Sequence, residues 1–164
     1  MNKQFLIFLG VGLVVIGTAI FFVFSSTKGN HLELTGDVLK VRTGKLDDNS
    51  SAAILDVRLM NPSDVPFVVR EVSVTVDEQD GKSATGSVIS KTDLKQLFAY
   101  NRFLGDQYND GLGIKDSIPP HGTVDRMVAV RFDIPASQLD SAKMLHFEVQ
   151  DMDGVLFDVS RRMK

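Results

Sequence analysis

The 164-residue sequence contains no cysteine and no tryptophan. Without cysteine, the chain cannot form a disulfide, a zinc–thiolate site, an iron–sulfur cluster or a thiol nucleophile. It also lacks the G-x-S-x-G pattern of many serine hydrolases, a Walker phosphate-binding loop and a complete dinucleotide-binding loop. The net charge of −3 argues against a nucleic-acid-binding domain, since such domains are usually basic on one face. These absences favour a protein that is not an enzyme and binds no cofactor.

One long apolar run stands near the start of the chain. The twenty residues from Phe5 to Phe24 include no charged side chain. As a helix they would be about 30 Å long, which matches the hydrocarbon thickness of a bilayer. We therefore expect a transmembrane signal-anchor at residues 5–24, preceded by a cytoplasmic tail (residues 1–4) and followed by a tether (residues 25–30). The domain at residues 31–164 is then expected outside the cytoplasm.

Other interpretations of the run remain open. A cleaved signal peptide has an apolar region of about 7–15 residues followed by a small-x-small site. This run is longer and ends in bulky phenylalanines, and Val23-Phe24-Ser25 would be a tolerable but poor cleavage site. A buried core helix is disfavoured because the segment is apolar all round. The orientation rests on the short N-terminal tail, because basic residues flank the run on both sides (Lys3 and Lys28).

After the tether, apolar and polar residues alternate with a period of two, which is typical of half-buried antiparallel strands. Alternating runs occur at residues 32–41, 55–59, 72–76, 128–134, 145–149 and 155–159. The first run changes parity after Gly36, where we expect a β-bulge. Turn residues separate the runs at Asp80-Gly81, Asp153-Gly154, Asn61-Pro62 and Pro119-Pro120-His121-Gly122. The pattern predicts an all-β sandwich or barrel, with Val68 and Val69 on a possible edge strand that could accept another strand.

One segment departs from this period. Ser90 is followed three residues later by Asp93, which is a helix-capping pattern. Apolar residues then follow at helical spacing as far as Leu104, and Gly105 suits the end of a helix. The spacing predicts an inserted helix at about residues 90–104. A shorter helical turn is expected at residues 136–142.

The segment Ile54-Leu-Asp-Val-Arg-Leu-Met-Asn61-Pro62-Ser-Asp-Val-Pro-Phe-Val-Val resembles the late-embryogenesis-abundant group 2 domain, also called the LEA14-like or WHy domain. That family has an alternating strand that ends in Asn-Pro, then a second strand and a hairpin. It also has a Pro-x-Gly turn before a late strand, as in Ile118-Pro-Pro-His-Gly122 here. The resemblance covers residues 32–159, with the helix at 90–104 as a departure. It implies an immunoglobulin-like Greek-key β-sandwich, no catalytic residues, and a role in stress protection or partner binding.

Few side chains in the sequence suggest a reactive or metal-binding site. The histidines His31, His121 and His146 are too far apart for local metal-ligand spacing, and we expect each to be solvated. Residues 106–117 resemble a calcium loop, but Tyr108 takes the third ligand position and Ser117 replaces the terminal glutamate. We therefore predict no catalytic, cofactor or metal site.

The aromatic residues around the inserted helix are the candidate partner-binding residues: Tyr100, Phe103 and Tyr108. Alternatively Phe103, with Leu97 and Phe98, caps an open end of the sandwich. The sequence thus predicts a membrane-anchored, non-catalytic module for protein interaction or envelope protection, attached to the lipid bilayer through residues 5–24. An accessory subunit of a cell-envelope assembly is the alternative. A ligand carrier or enzyme with a site between sandwich and helix is the third hypothesis.

Overall fold

The computed structural model describes residues 3–27, 33–100 and 104–163. The chain divides into two compact units, Met1–His31 and Leu32–Lys164. The described part of the first unit is one helix, α1 (Lys3–Thr27), which includes the whole predicted apolar run. The side chains described in α1 are those of Gln4, Gly10 and residues 12–22. No helix among the described residues meets the length and apolarity of a membrane span, and the transmembrane anchor stays a prediction.

The described part of the second unit contains eight strands and two helices. In chain order these are β1 (Thr35–Lys45), β2 (Ser51–Met60), β3 (Phe67–Asp77), β4 (Ser83–Val88), α2 (Lys91–Tyr100), β5 (Ser117–Ile118), β6 (Thr123–Phe132), α3 (Ala136–Asp140), β7 (Met144–Asp151) and β8 (Leu156–Arg162). Every strand pairing is antiparallel. The predicted all-β class is confirmed for this unit, and so is the short helical turn that α3 forms.

The strands form two sheets that share β4. In one sheet β2 lies between β1 and β6, and in the other β7 lies between β3 and β8. The first part of β4 pairs with β3, and its last residues, Ser87 and Val88, pair with β6. On the opposite side the Arg161 guanidinium of β8 donates to the Val38 carbonyl of β1. The result is a nearly closed β-sandwich.

The interior of the sandwich follows directly from the alternation in the sequence. One side chain of each alternating pair points between the sheets, because successive residues of a strand face opposite sides. The core includes the fully buried residues Leu55, Val57, Phe67, Val74, Val76, Val130, Phe132, Leu145, Phe147 and Val149. At about 25 cal/mol per Å² of buried apolar surface, this core is the main source of stability.

The β-bulge of β1 lies at Leu39, so the position predicted for it, Gly36, was wrong. The register with β2 shifts between Val38 and Lys40, which leaves Leu39 as an extra, exposed residue. Gly36 has another role, since a Cβ atom there would lie 2.2 Å from the Arg58 carbonyl oxygen. Glycine at this position allows the close approach of β1 and β2.

The expectation of an open strand edge at Val68 and Val69 was also wrong. At these two residues both sides of β3 are occupied, because Val68 pairs with Ser117 of β5 and Val69 pairs with Asp151 of β7. The alternation in a sequence shows that a strand exists, but it does not show how many neighbours the strand has.

The start of α2 agrees with the predicted capping pattern. The Ser90 hydroxyl accepts a hydrogen bond from the Asp93 backbone N–H at 3.2 Å and donates one to the Asp93 carboxylate at 2.8 Å. The first of these bonds satisfies a backbone donor that the first turn of a helix otherwise leaves unpaired. The helix is described through Tyr100, and residues 101–103 of the predicted fifteen-residue helix lie outside the described residues.

Candidate functional site

Helix α2 covers the outer face of the sheet formed by β1, β2 and β6. Leu94 of α2 packs with Ile54, Met127 and Ala129, which point away from the main core, and with Leu104. For this reason β2 is buried on both faces from Ser51 to Val57. Leu97 and Phe98 pack against the same cluster. They therefore line a second small core on a sheet face, and they do not cap an open end of the sandwich.

Arg42 of β1 anchors the chain that follows α2 to this sheet. Its Nη1 donates to the Leu104 carbonyl at 2.6 Å and to the Asp106 carbonyl at 2.9 Å. Two aromatic rings flank the guanidinium: its central carbon lies 5.7 Å from the centre of the Phe98 ring and 5.3 Å from that of Tyr108. Both distances suit cation–π attraction. Arg42 thereby fixes the position of Tyr108.

A carboxylate lies beside Arg42 under the same cover. Oδ2 of Asp56 is 3.5 Å from Nη2 of Arg42, and the two side chains are 10% and 13% exposed. Within the described residues, Nε and Nη2 of Arg42 and Oδ1 of Asp56 have no hydrogen-bond partner. Burying two charges is costly unless each is well paired. Loss of either Arg42 or Asp56 would therefore leave the other buried without a counter-ion and lower the stability of the fold.

The structure describes two of the three predicted partner-binding residues. Tyr100, at the end of α2, is 89% exposed, and Tyr108 is 64% exposed. Phe103 lies outside the described residues. Both tyrosines belong to the segment that covers the outer face of the sheet. Exposed aromatic side chains are well suited to protein contacts, because they lose little conformational freedom on binding.

A second polar cluster crosses the outer face of the other sheet. His146 Nε2 lies 2.9 Å from Asp77 Oδ2, and His146 Nδ1 lies 2.8 Å from Ser160 Oγ. The Ser83 hydroxyl donates to Asp77 Oδ1 at 2.8 Å. Hydrogen bonds from His146 and then from Ser83 lower the pKa of Asp77 below its usual value. The expectation that His146 is simply solvated was therefore wrong.

The order Ser160, His146, Asp77 is that of a nucleophile, a base and the group that orients the base. Acyl transfer also needs N–H donors that converge on the developing oxyanion. Ser160 lies within β8 directly opposite His146, and backbone N–H groups of a strand point along the sheet and not above it. The cluster is better suited to bracing four strands than to catalysis. The sequence showed only that His146 lies on the polar, outward-facing side of its strand.

Asn61 of the Asn-Pro motif links two turns. Its Nδ2 donates to the carbonyls of Val65 at 2.8 Å and Ile118 at 3.1 Å. Its Oδ1 accepts from the backbone N–H of Ser63 at 3.0 Å and from the Ser63 hydroxyl at 2.6 Å. Asn61 is fully buried, so each of these bonds replaces one that water could not supply. The predicted turn at Asn61-Pro62 is confirmed, since β2 ends at Met60 and β3 begins at Phe67.

Those of the remaining candidates that the structure describes do not assemble into a metal site. In residues 3–27, 33–100 and 104–163, no three histidine, aspartate or glutamate side chains converge as metal ligands. His121 Nε2 lies 2.9 Å from Asp64 Oδ1 on the exposed turn that follows β5. His31 lies outside the described residues.

Comparison with other proteins gives distant similarities only. No protein-family model matches the chain, and no curated protein matches it. One similar solved structure is an uncharacterised β-sandwich protein from Clostridium difficile 630, with 14% identity, a TM-score of 0.38, and coverage of 81% of this chain and 82% of that one. Another is the archaellum periplasmic stator protein FlaG from Sulfolobus acidocaldarius, with 12% identity, a TM-score of 0.37, and coverage of 80% and 100%. Neither similarity bears on what this chain does.

Proposed function

We propose that this protein is a membrane-anchored, non-catalytic β-sandwich module that binds a partner protein at the cell envelope, with its second unit outside the cytoplasm. The observation that carries the proposal is the surface of α1. Its described apolar side chains are exposed on all sides of the helix: Leu13, Val14, Val15, Ile16, Ile20, Phe21 and Phe22. Such a surface is unfavourable in water and favourable in lipid, where a helix satisfies its own backbone.

The immunoglobulin-like Greek-key class and the LEA14-like assignment belong to this proposal. The neighbours β1-β2-β6 and β3-β7-β8 stand in the same relation as strands A-B-E and C-F-G of immunoglobulin domains, and β4 takes the position between the two sheets. This order supports the class that the Asn-Pro resemblance implies. Domains of this class serve many unrelated functions, so the fold itself does not name the partner.

We assign the partner contact to the segment that covers the outer face of the first sheet, with Tyr100 and Tyr108 at its centre. The support is their exposure together with the cation–π contact that holds Tyr108 over Arg42. The alternative function, an accessory subunit of an envelope assembly, adds partner contacts through α1 itself. It is favoured by the breadth of the apolar surface of α1, since a lipid-exposed helix can also pack against another helix.

Membrane fractionation tests the anchor. The full chain is expected to stay in the membrane pellet after alkaline carbonate extraction. Replacing both Val15 and Ile16 by lysine should release it, because each charge at the centre of a span costs about 2.5–3.5 kcal/mol. Changing exposed Asp48 to lysine reverses a charge on the second unit, which alters the net charge as much as the two lysines do, and should release nothing. Recovery of the unaltered chain in the soluble fraction would refute the proposed anchor.

Site-specific photocrosslinking in native membranes tests the contact surface. A photoreactive residue at position 100 or 108 should give one discrete adduct, and the same residue in place of exposed Met60 should give none. Exchange of α1 for an unrelated hydrophobic helix then separates the two functions. An adduct that persists supports the module, whereas an adduct that disappears from a folded chain supports the accessory subunit. Equal labelling at all three positions would count against a partner contact at the tyrosines.

A further inference from the structure

The edge of β3 that faces β4 and β5 has a gap. Phe67 and Val68 pair with β5, and Val69 exchanges backbone hydrogen bonds with Lys115 and Asp116. Pairing with β4 begins only at Val74, because β4 then crosses to the other sheet. Within the described residues, positions 70–73 have no strand partner on this edge. Four residues of strand span about 13 Å.

An apolar cleft of about 410 Å³ opens at this gap. The gap leaves room between β3, the end of β4, the start of α2 and the loop before β5. Its apolar lining consists of Val72, Val88, Ile89, Leu112 and Ile114. Ile114 is 70% exposed, and Val88 is also exposed. The volume is in the range of ligand-binding clefts, which are typically lined by apolar side chains with a few polar groups at the rim.

The charges at the rim are unequal. Lys91 lies at the rim, but its ammonium is held by the Asp116 carboxylate at 2.5 Å. Glu71 lies at the same rim and forms no ion pair or side-chain hydrogen bond within the described part of the chain. The carboxylate that remains available therefore favours a cationic group next to whatever fills the apolar cleft.

A shallower groove of about 200 Å³ continues from Glu71 over the outer face of the second sheet. Glu148 and Gln150 line it together with Ser73 and Leu156. Glu148 lies directly opposite Asp158 of β8, and two like charges in such a pair repel each other. A cation bound here would relieve that repulsion. The groove, like Glu71, therefore favours a cationic ligand group.

We propose that the gap binds an extended peptide segment in which apolar and basic residues alternate. The segment would add to the free edge of β3, as in other cases of β-strand addition. Its apolar side chains would enter the cleft beside Val72, and its basic side chains would lie on the outer side with Glu71 and Glu148. Successive side chains of a strand point to opposite faces, which is why alternation fits both surfaces at once. The proposal rests on the binding function proposed above but places this ligand at a different surface from Tyr100 and Tyr108.

Fluorescence anisotropy with the full chain in detergent micelles tests the proposal. The probe is a labelled six-residue peptide of alternating valine and lysine. Two control peptides replace lysine by glutamate, or valine by serine. Glu71→Gln removes only the charge, and Ile114→Ser removes an exposed part of the cleft wall. Glu33→Gln is the matched control, since Glu33 is exposed and does not line the cleft.

The valine–lysine peptide should bind, and both control peptides should bind at least tenfold more weakly. Glu71→Gln should weaken binding roughly tenfold, as expected for one charge-assisted hydrogen bond. Ile114→Ser should weaken it several-fold, and Glu33→Gln should leave it unchanged. Tyr100→Ser should also leave it unchanged, which separates this site from the tyrosine surface.

Absence of binding at millimolar peptide would overturn the proposal. It would also be overturned if the glutamate control peptide bound as tightly as the valine–lysine peptide, or if Glu71→Gln bound the valine–lysine peptide as tightly as Glu33→Gln does. Circular dichroism checks that each variant keeps its β-sheet signal. Since the substituted side chains are exposed, we expect no loss of fold. Membrane retention of α1 is measured separately, so failure of this site leaves the proposed anchor unaffected.

Discussion

The guanidinium of Arg42 and the carboxylate of Asp56 lie 3.5 Å apart beneath α2, with neither side chain more than 13% exposed. Arg42 also holds the carbonyls of Leu104 and Asp106 and is flanked by the rings of Phe98 and Tyr108. One residue of β1 therefore joins the sheet, the helix and the following loop. The helix and loop that cover this sheet face are therefore held by the buried charge of Arg42.

Arg42→Met should destabilise the second unit by about 3–5 kcal/mol, because it leaves Asp56 buried without a counter-ion. The double change Arg42→Met with Asp56→Leu removes both charges and should recover most of the loss. Urea unfolding followed by the β-sheet circular dichroism signal measures both effects. If the single and double variants prove equally unstable, the loss comes from Arg42 contacts other than the ion pair.

Asn61→Ala should lower the free energy of unfolding by about 1–3 kcal/mol, since it removes the donor to the buried Ile118 carbonyl and the acceptor of the Ser63 N–H. Exposed Asn49 offers a control, and Asn49→Ala should change stability by less than about 0.5 kcal/mol. Hydrogen exchange gives a local measurement. The amide of Ser63 should exchange much faster in the Asn61 variant, and unchanged protection there would contradict the assigned role.

Gly86→Ala tests the point at which β4 crosses between the sheets. A Cβ atom at Gly86 would lie 2.2 Å from Val130 Cγ1 and 2.8 Å from Phe132 Cε1. We expect a loss of about 1–3 kcal/mol from overpacking. Combining it with Val130→Ala makes room for the new methyl group, so the two changes together should cost less than their sum. Simple additivity in a double-mutant cycle would argue against the predicted steric conflict.

The stability of the second unit should fall as the pH drops below about 4, the usual pKa of an aspartate. Hydrogen bonds from His146 and Ser83 lower the pKa of Asp77, with a smaller contribution from Lys143. A carboxyl whose pKa is lower in the folded state stabilises the fold above its unfolded pKa, and this contribution is lost as the pH falls through the folded pKa.

Asp77→Asn should therefore reduce the slope of stability against pH in this acidic range. It should not abolish the slope, because the pKa of Asp125 is also lowered, by its hydrogen bond with Arg58. Urea midpoints measured from pH 2 to pH 6, a range of about two units on either side of that usual pKa, provide the comparison. An identical slope in the two proteins would show that the His146 cluster does not contribute to acid stability.

The sequence by itself determined the local features of this protein. The alternation placed the strands, Asp80-Gly81 and Asp153-Gly154 marked hairpins in which both glycines have positive φ, and Ser90 with Asp93 marked the start of α2. These features depend on neighbours within a few residues, whose backbone geometry and side-chain spacing fix the outcome. The all-β class follows from them.

Only the tertiary structure decided which residues meet. Asp77, His146 and Ser160 come from three separate strands, and Asp56 lies buried beside Arg42 on the sheet face that α2 covers. The gap beside Glu71 exists because β4 leaves β3 for β6. Strand order, register and the covering of a sheet face depend on contacts between residues far apart in the chain. Alternation within one strand shows which side chains share a face, but it is the same whichever strands lie beside it.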